Sequence, residues 1–498
     1  MKQFIFTNTD GYYEEGSVDG QGAVRACDAS LAPGDLVCES SSITNGVDKV
    51  TSNAETRSVI GWVINKPTST TAEILFKGTI SGLSGLTKAG KVYLSASGGF
   101  GNAIPTGGYV QILGQAIDAD TIDFDPTNTK IKLFKPGFNF PLSYTNIVPS
   151  SSTSTLGWCL DMDGNTLVIG SSGKIYVFTY DESSETWTEE AEITNSDGGS
   201  FGQYVRISGD TIVTGNHSYD ANGYDENGRA YIYTRSGTTW TLKVTLDGPI
   251  QNYCQFGASV DVYGNIVAIC SPNEDVNGDN DVGILDIYEF DGTNATLKQT
   301  IEGNTENGRF GEGGICIDGN KLLISEYIKK NVYLYEYNGS SWVSSETFYE
   351  NQSNFGYSIS IKDSKIAIGS DNYDDGSITC GAFYVYTYDG SNWNKVGPIT
   401  ASDKADGDKF GYAVSIYDDY AVVGAYSADP NGNTSAGKAY IFEFDGTNWI
   451  EKQIIEGTNA YDNLGSIVYV NENHIFVCAR MSDLNGTNSG EVRDYKNS

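Results

Sequence analysis

The segment NEDVNGDNDVG (273–283) holds the side chains best suited by type and spacing to chemistry. Asp275, Asn277, Asp279 and Asp281 set oxygen atoms at alternate positions, which lets a loop close around a hard cation such as calcium. The same residue types also turn a chain and keep it solvated. Related segments recur at 216–228 (NHSYDANGYDENG), 370–376 (SDNYDDG), 428–437 (ADPNGNTSAG) and 482–490 (SDLNGTNSG), so a turn-forming role stands beside the metal role. Tyr219, Tyr224 and Tyr373 lie inside these segments and are candidates for stacking on a ligand, a sugar ring for example.

Catalytic constellations are scarce. Neither His217 nor His474 is followed by a second histidine at metal-ligand spacing. No nucleophile elbow, phosphate loop or dinucleotide fingerprint occurs. A glycan-cleaving enzyme would need two carboxylates facing each other across a cleft. With 64 Asp and Glu such pairs arise by chance, and a solvated acidic face accounts for them. The chain is therefore expected to be non-enzymatic. Its 8 cysteines show no Cys-x-x-Cys spacing, which fits buried thiols in a reducing compartment, and Cys27 and Cys38 are expected to be free.

Lys and Arg number 31 against 64 Asp and Glu, a net charge of −33, which disfavours nucleic acid and anionic membranes as partners. The imbalance is uneven. Residues 1–135 carry 14 acids and 11 bases, a net −3, leaving −30 for the remainder. The start, MKQFIFTNTDGYYEEG, has only Phe4 to Phe6 as an apolar patch, so no secretory signal is expected, and no run reaches membrane-spanning length.

Any site in the larger part of the chain must be positioned by a repeat. Seven anchors align, Leu156-Gly157, Phe201-Gly202, Phe256-Gly257, Phe310-Gly311, Phe355-Gly356, Phe410-Gly411 and Leu464-Gly465, with glycine spacings of 45, 55, 54, 45, 55 and 54. Thirteen residues past each glycine a small residue ends an apolar run: Gly170, Gly215, Cys270, Gly369, Gly424 and Cys478, with Ser325 one residue late. Tight polar turns such as Asp163-Gly164, Gly264-Asn265 and Asp418-Asp419 join the first two strands. A third strand rich in Tyr and Phe follows, as in KIYVFTY or KAYIFEF. A second turn such as Asp389-Gly390 then leads to Trp187, Trp240, Trp342, Trp393 or Trp449. Four strands per unit, apolar on both faces, predict an all-β chain with seven sheets arranged radially as a β-propeller. The last unit ends after EVRDY without a fourth strand, whereas FNFPLSYTNIV (138–148) precedes the first and puts Phe140 at the Trp position. That segment is expected to complete the last blade by strand exchange. The domains are accordingly 1–137 and 138–498.

This pattern resembles the FG-GAP repeat family, whose seven-bladed propellers include the integrin alpha head. The likeness covers residues 138–498 and rests on motifs such as DKFGYAVSIYDDYAVVGAY and FDGTNW. In the integrin type a calcium loop sits between the Phe-Gly strand and the small-residue strand. Here a tight turn takes that place, so those calcium sites are not implied. Residues 1–137 contain strand-like runs, including SVIGWVI (58–64), AEILFKGTI (72–80) and GYVQILGQAI (108–117), expected to form a small β barrel or sandwich. Within them, residues 78–126 resemble a small β domain of bacteriophage head and tail fibre and decoration proteins. The matching elements are Ser84-Gly85-Leu86-Thr87, Tyr93-Leu94, Pro105, Gly107-Gly108-Tyr109 and Asp125-Pro126. Together the resemblances imply a phage-like structural protein on the virion surface, made in the host cytoplasm. Residues 1–137 would dock on capsid or tail proteins and the propeller would face a host receptor or glycan. The alternative is a secreted cellular FG-GAP adhesin, and homo-oligomerisation is left open.

Overall fold

The computed structural model describes residues 138, 140, 142–151 and 155–496 in full and, before them, the backbone of ten strands between Gly20 and Lys132. The chain divides into two compact units, Met1–Asn139 and Phe140–Ser498. In the first, strand Gly20–Cys27 pairs in parallel with Gly46–Lys49 and antiparallel with Thr71–Ile80. Tyr109–Ala116 pairs with Lys91–Leu94, Ile122–Phe124 and Lys130–Lys132. Ser84 to Thr87, Pro105, Gly107, Gly108, Asp125 and Pro126, which carry the virion-domain resemblance, lie outside the described residues, as do the side chains of Cys27 and Cys38.

The second unit is built from seven four-stranded antiparallel sheets. They are blades 1 (160–194), 2 (204–247), 3 (259–302), 4 (315–349), 5 (359–399), 6 (413–456) and 7 (464–496 with 143–147). Blade 6 shows why the sequence folds this way. Its strands are Ala413–Tyr417, Tyr420–Ala425, Lys438–Phe444 and Trp449–Glu456. Asp418, at φ 51°, supplies the positive dihedral that a two-residue hairpin turn needs. Ala439, Tyr440, Ile441 and Phe442 are successive and all buried, as expected of a strand covered on both faces. Between the third and outer strands of blades 1, 2, 3, 4 and 6 the register slips at one equivalent place, and in blade 5 slightly earlier, between Phe383 and Val385, a repeated bulge that raises the twist of the outer edge.

The Phe-Gly repeat accounts for the close approach of neighbouring blades. A methyl group on Gly170 would stand 2.0 Å from the carbonyl oxygen of Gly202 in the next blade. The corresponding distances are 1.8 Å from Gly215 to Gly257, 2.1 Å from Gly369 to Gly411 and 1.9 Å from Gly424 to Gly465. At these seams backbone touches backbone. Where Cys270, Ser325 and Cys478 fill the slot, the facing anchors Gly311, Gly356 and Gly157 leave the room their side chains take. The Cys478–Gly157 pair joins blade 7 to blade 1, so the succession returns to its start. Ser325 also donates a hydrogen bond to the Gly356 carbonyl at 2.5 Å.

Ser143–Ile147 forms the outer strand of blade 7, running antiparallel to Glu491–Lys496. Phe140 lies beneath the Lys452 ammonium of blade 6, at 5.9 Å, in the seam where other blades place Trp. The six cysteines among the described residues are free, and all but Cys316 are buried. No helix among the described residues is long and apolar enough to cross a membrane.

Candidate functional site

The anchor glycine fixes which side chains reach the end of the axial channel. Its N–H donates to the carbonyl of the small residue on the adjacent strand, at 2.9 Å for Gly157 to Gly170 and Gly356 to Gly369, and at 3.0 Å for Gly411 to Gly424. In blades 1, 3, 4, 5 and 6 the bond fastens the inner two strands together at one end, so the residues that follow leave from one edge of the blade. Directly after the anchors stand Trp158, Gln203, Ala258, Glu312, Tyr357, Tyr412 and Ser466. Two places after the small residues stand Ser172, His217, Pro272, Tyr327, Asp371, Tyr426 and Arg480.

Aromatic rings dominate this mouth. Tyr327, Tyr357, Tyr412 and Tyr426 form an unbroken arc over blades 4 to 6, with successive ring centroids 5.3, 5.0 and 4.3 Å apart. Across the seam between blades 7 and 1 the Arg480 guanidinium lies 4.2 Å above the Trp158 ring. In blade 2, Tyr204 meets His217 edge to face at 5.9 Å and is 39% exposed. Enclosure by the surrounding blades raises the Tyr204 hydroxyl to about 12, with smaller contributions from Cys159, Tyr412, Glu312 and the opposing Arg480, groups of four other blades.

Several polar groups here lack an ordinary partner. The Glu312 carboxylate receives Arg309 at 3.2 Å through Oε1, while its enclosed Oε2 takes no hydrogen bond of normal geometry. Burial raises the Glu312 carboxyl accordingly. His217 Nδ1 is likewise enclosed without a partner. Among the described residues Arg480 has no carboxylate partner, only the Trp158 face.

Deeper in the channel, Arg206 stands between Asp161 and Asp261, its nitrogen 3.9 Å from Asp261, with 28% of its side chain open to channel solvent. Burial pushes Asp161 up to about 6 and Asp261 up to about 7, against the pull of Arg206. All four carboxylate oxygens are occupied. Asp161 accepts the N–H groups of Met162 and Ile207, and Asp261 those of Val262 and Ile317. Ile207 and Ile317 belong to the next blade in each case, so these acids tie inner strands together. The Ile416 N–H donating to the Ser360 hydroxyl, the Val470 N–H to the Ser415 hydroxyl and the Tyr469 hydroxyl to the Met162 carbonyl do the same work elsewhere in the ring.

The acidic loops fold on themselves. Asp275 Oδ1 accepts the Asp281 N–H at 3.0 Å, Val276 and Asp279 exchange backbone bonds, and the Asp281 carboxylate faces Arg309 at 3.7 Å. Asp275, Asn277, Asp279 and Asp281, expected to hold a cation, all lie in this loop. Positive φ at Asn277 and Asp281 turns the chain tightly, and among the described residues no three His, Cys, Asp or Glu side chains gather as a metal site requires. The same cap recurs six residues apart in Asp220 with Glu226 and Asp429 with Ser435, which marks it as loop architecture. Tyr219 is half-buried under the Arg229 guanidinium at 4.0 Å, and Tyr373 packs against the core of blades 4 and 5. Tyr224 closes a local bridge to Ala221. None of the three belongs to the aromatic arc.

His474 is structural too. It is buried with Nδ1 2.9 Å from Asp494, whose other oxygen accepts the Trp187 indole N–H of blade 1 at 2.9 Å. The thiols of Cys254 and Cys316 are pushed up to about 12 by burial, which removes them as nucleophiles at neutral pH.

A family model described as FG-GAP repeat matches residues 187–233 and 393–442. Each stretch runs from the Trp of one outer strand through the next anchor into the following third strand. The chain thus carries FG-GAP repeats on a seven-bladed β-propeller. No curated protein matches it. Among solved structures, the crystal structure of Saccharomyces cerevisiae Sqt1 aligns with a TM-score of 0.42 at 10% identity, covering 67% of this chain and 81% of that one. A likeness of that degree carries no argument about function.

Proposed function

We propose that the chain is a non-enzymatic binding module of a virion surface, held to capsid or tail protein by residues 1–137 and binding its ligand at the axial mouth of the propeller. The observation that carries the binding half is the mouth itself, where aromatic faces from blades 1, 2, 4, 5 and 6 surround polar groups without partners. An FG-GAP propeller is consistent with a ligand-binding or adhesion module. The occupied carboxylates of Asp161 and Asp261 support the absence of chemistry, since both are engaged in holding strands together. The anchoring half rests on the resemblance of residues 78–126 to phage virion domains and on the charge division, with −3 in residues 1–135 and −30 beyond. Docking buries surface most readily where charge is low. Mass spectrometry of purified particles tests the reading: the chain is expected in stoichiometric amounts, cross-linked to a coat or tail protein through lysines before residue 136. A chain secreted by uninfected cells and missing from particles would overturn it.

A further inference from the structure

We propose that the axial mouth is a saccharide site in which Trp158, Tyr357 and Tyr412 stack on pyranose rings while Glu312, His217 and Arg480 bond their hydroxyls. This rests on the binding-module reading above and names the ligand class for that same mouth.

Three kinds of ligand could meet an aromatic-lined mouth, and the polar groups choose among them. A simple anion would satisfy Arg480 but would face Glu312, the buried Asp371 and a net charge of −33. A simple cation would satisfy Glu312 and the tyrosine faces but would meet Arg480, Arg309 and Lys409, the last of which already pairs with Asp371 at 3.6 Å. What remains is one enclosed acceptor, Glu312 Oε2, whose carboxylate the Tyr327 hydroxyl approaches without a bond of ordinary geometry, one ring nitrogen that can accept or donate, His217 Nδ1, and one donor fork, Arg480. A sugar hydroxyl donates and accepts at once, so the hydroxyls of successive rings can serve all three kinds of group. Each such ring offers a flat C–H face, which suits the half-buried faces of Trp158, Tyr357 and Tyr412. An enclosed polar atom without a partner is costly in a folded chain, and hydroxyls of a ligand would relieve that cost.

The geometry favours an extended oligosaccharide over a single ring. The arc from Tyr327 to Tyr426 spans three blades, and Trp158 with Arg480 lies across another seam. More than one sugar unit is needed to touch both.

The test uses the full-length chain on a printed array of neutral and carboxylated oligosaccharides, followed by titration calorimetry with the best binder. Wild type is expected to retain at least one oligosaccharide. Tyr412→Ala and Arg480→Gln should each weaken it about tenfold or more, while Tyr253→Ala, at an exposed tyrosine whose hydroxyl and N–H turn to Asp225 in the loop of blade 2, leaves it unchanged. Tyr412→Phe, which keeps the ring, guards against a folding artefact and should lose much less than Tyr412→Ala. Wild-type binding that survives both mouth substitutions would overturn the site. If the array shows nothing, yet labelled chain binds host cells and Tyr412→Ala abolishes that binding, the saccharide is wrong and the mouth stands. If the chain binds neither array nor cells, the binding-module reading itself falls.

Discussion

At Gly215 a methyl group would lie 1.8 Å from the Gly257 carbonyl, whereas nothing comes within 4 Å of one at Gly264. Gly215→Ala must force two blades apart and is expected to destabilise the propeller by about 3 kcal/mol or more. Gly264→Ala meets only the strain of its positive φ, about 1 kcal/mol. Urea unfolding of the two variants separates seam glycines from turn glycines. A second expectation concerns pH. Because Asp161 and Asp261 titrate higher in the folded chain than in the unfolded one, the native state holds protons that the unfolded state has released between pH 4 and 7. Their contribution to stability is therefore greatest near pH 4, falls as pH rises through 6 to 7, and is flat above that. Asp261→Asn should flatten the decline, a change on the order of 1 kcal/mol between pH 5 and 7.5 in melts at the two pH values. The anchor glycines were legible in the sequence because one packing demand recurs seven times. The mouth was not, because Trp158, Gln203, Ala258, Glu312, Tyr357, Tyr412 and Ser466 share a position while only Tyr357 and Tyr412 share a residue type. Its signal is the failure to repeat at a fixed place in the register. For Asp275 to Asp281 the alternation was readable in the sequence, whereas the cap from Asp275 to Asp281 and the positive φ at Asn277 and Asp281 show only in the fold.

Hairpins make each blade nearly self-sufficient, and blade 7 is the exception. Its outer strand, Ser143–Ile147, comes from the other end of the propeller sequence and pairs with Val492 to Lys496. Ile147 is buried, Tyr144 stacks on Tyr495 at 5.1 Å and the Arg493 guanidinium covers Tyr144 at 4.9 Å. We propose that this strand holds the ring closed. A chain beginning at residue 138 is expected to melt cooperatively at the temperature of the full propeller transition. One beginning at residue 149 should melt lower by about 5 °C or more, since an unpaired edge and an uncovered blade face remain. Equal melting temperatures would show that the seams alone hold the ring. Strand number and turn positions were readable from the repeat, because turn residues and the aromatic third strand recur. The recurrent bulge was not, since it depends on how the outer strand curves over its neighbour.

For the molecule as a whole, charge and architecture point the same way. The propeller unit carries nearly all of the negative charge, and much of it has a local task. Asp291, Asp389 and Asp445 each accept two backbone N–H groups in outer turns, which lowers their carboxyls below the usual range. The mouth sets Arg480 and aromatic faces beside the acids Glu312 and Asp371, a mixed lining suited to contact. The most direct measurement is a density map of the assembled particle resolved well enough to orient the ring. The account predicts a seven-bladed ring joined to the coat through residues 1–137, with Trp158, Tyr412 and Arg480 turned away from the particle. A ring seated on the coat by its mouth, or particles without the chain, would contradict it.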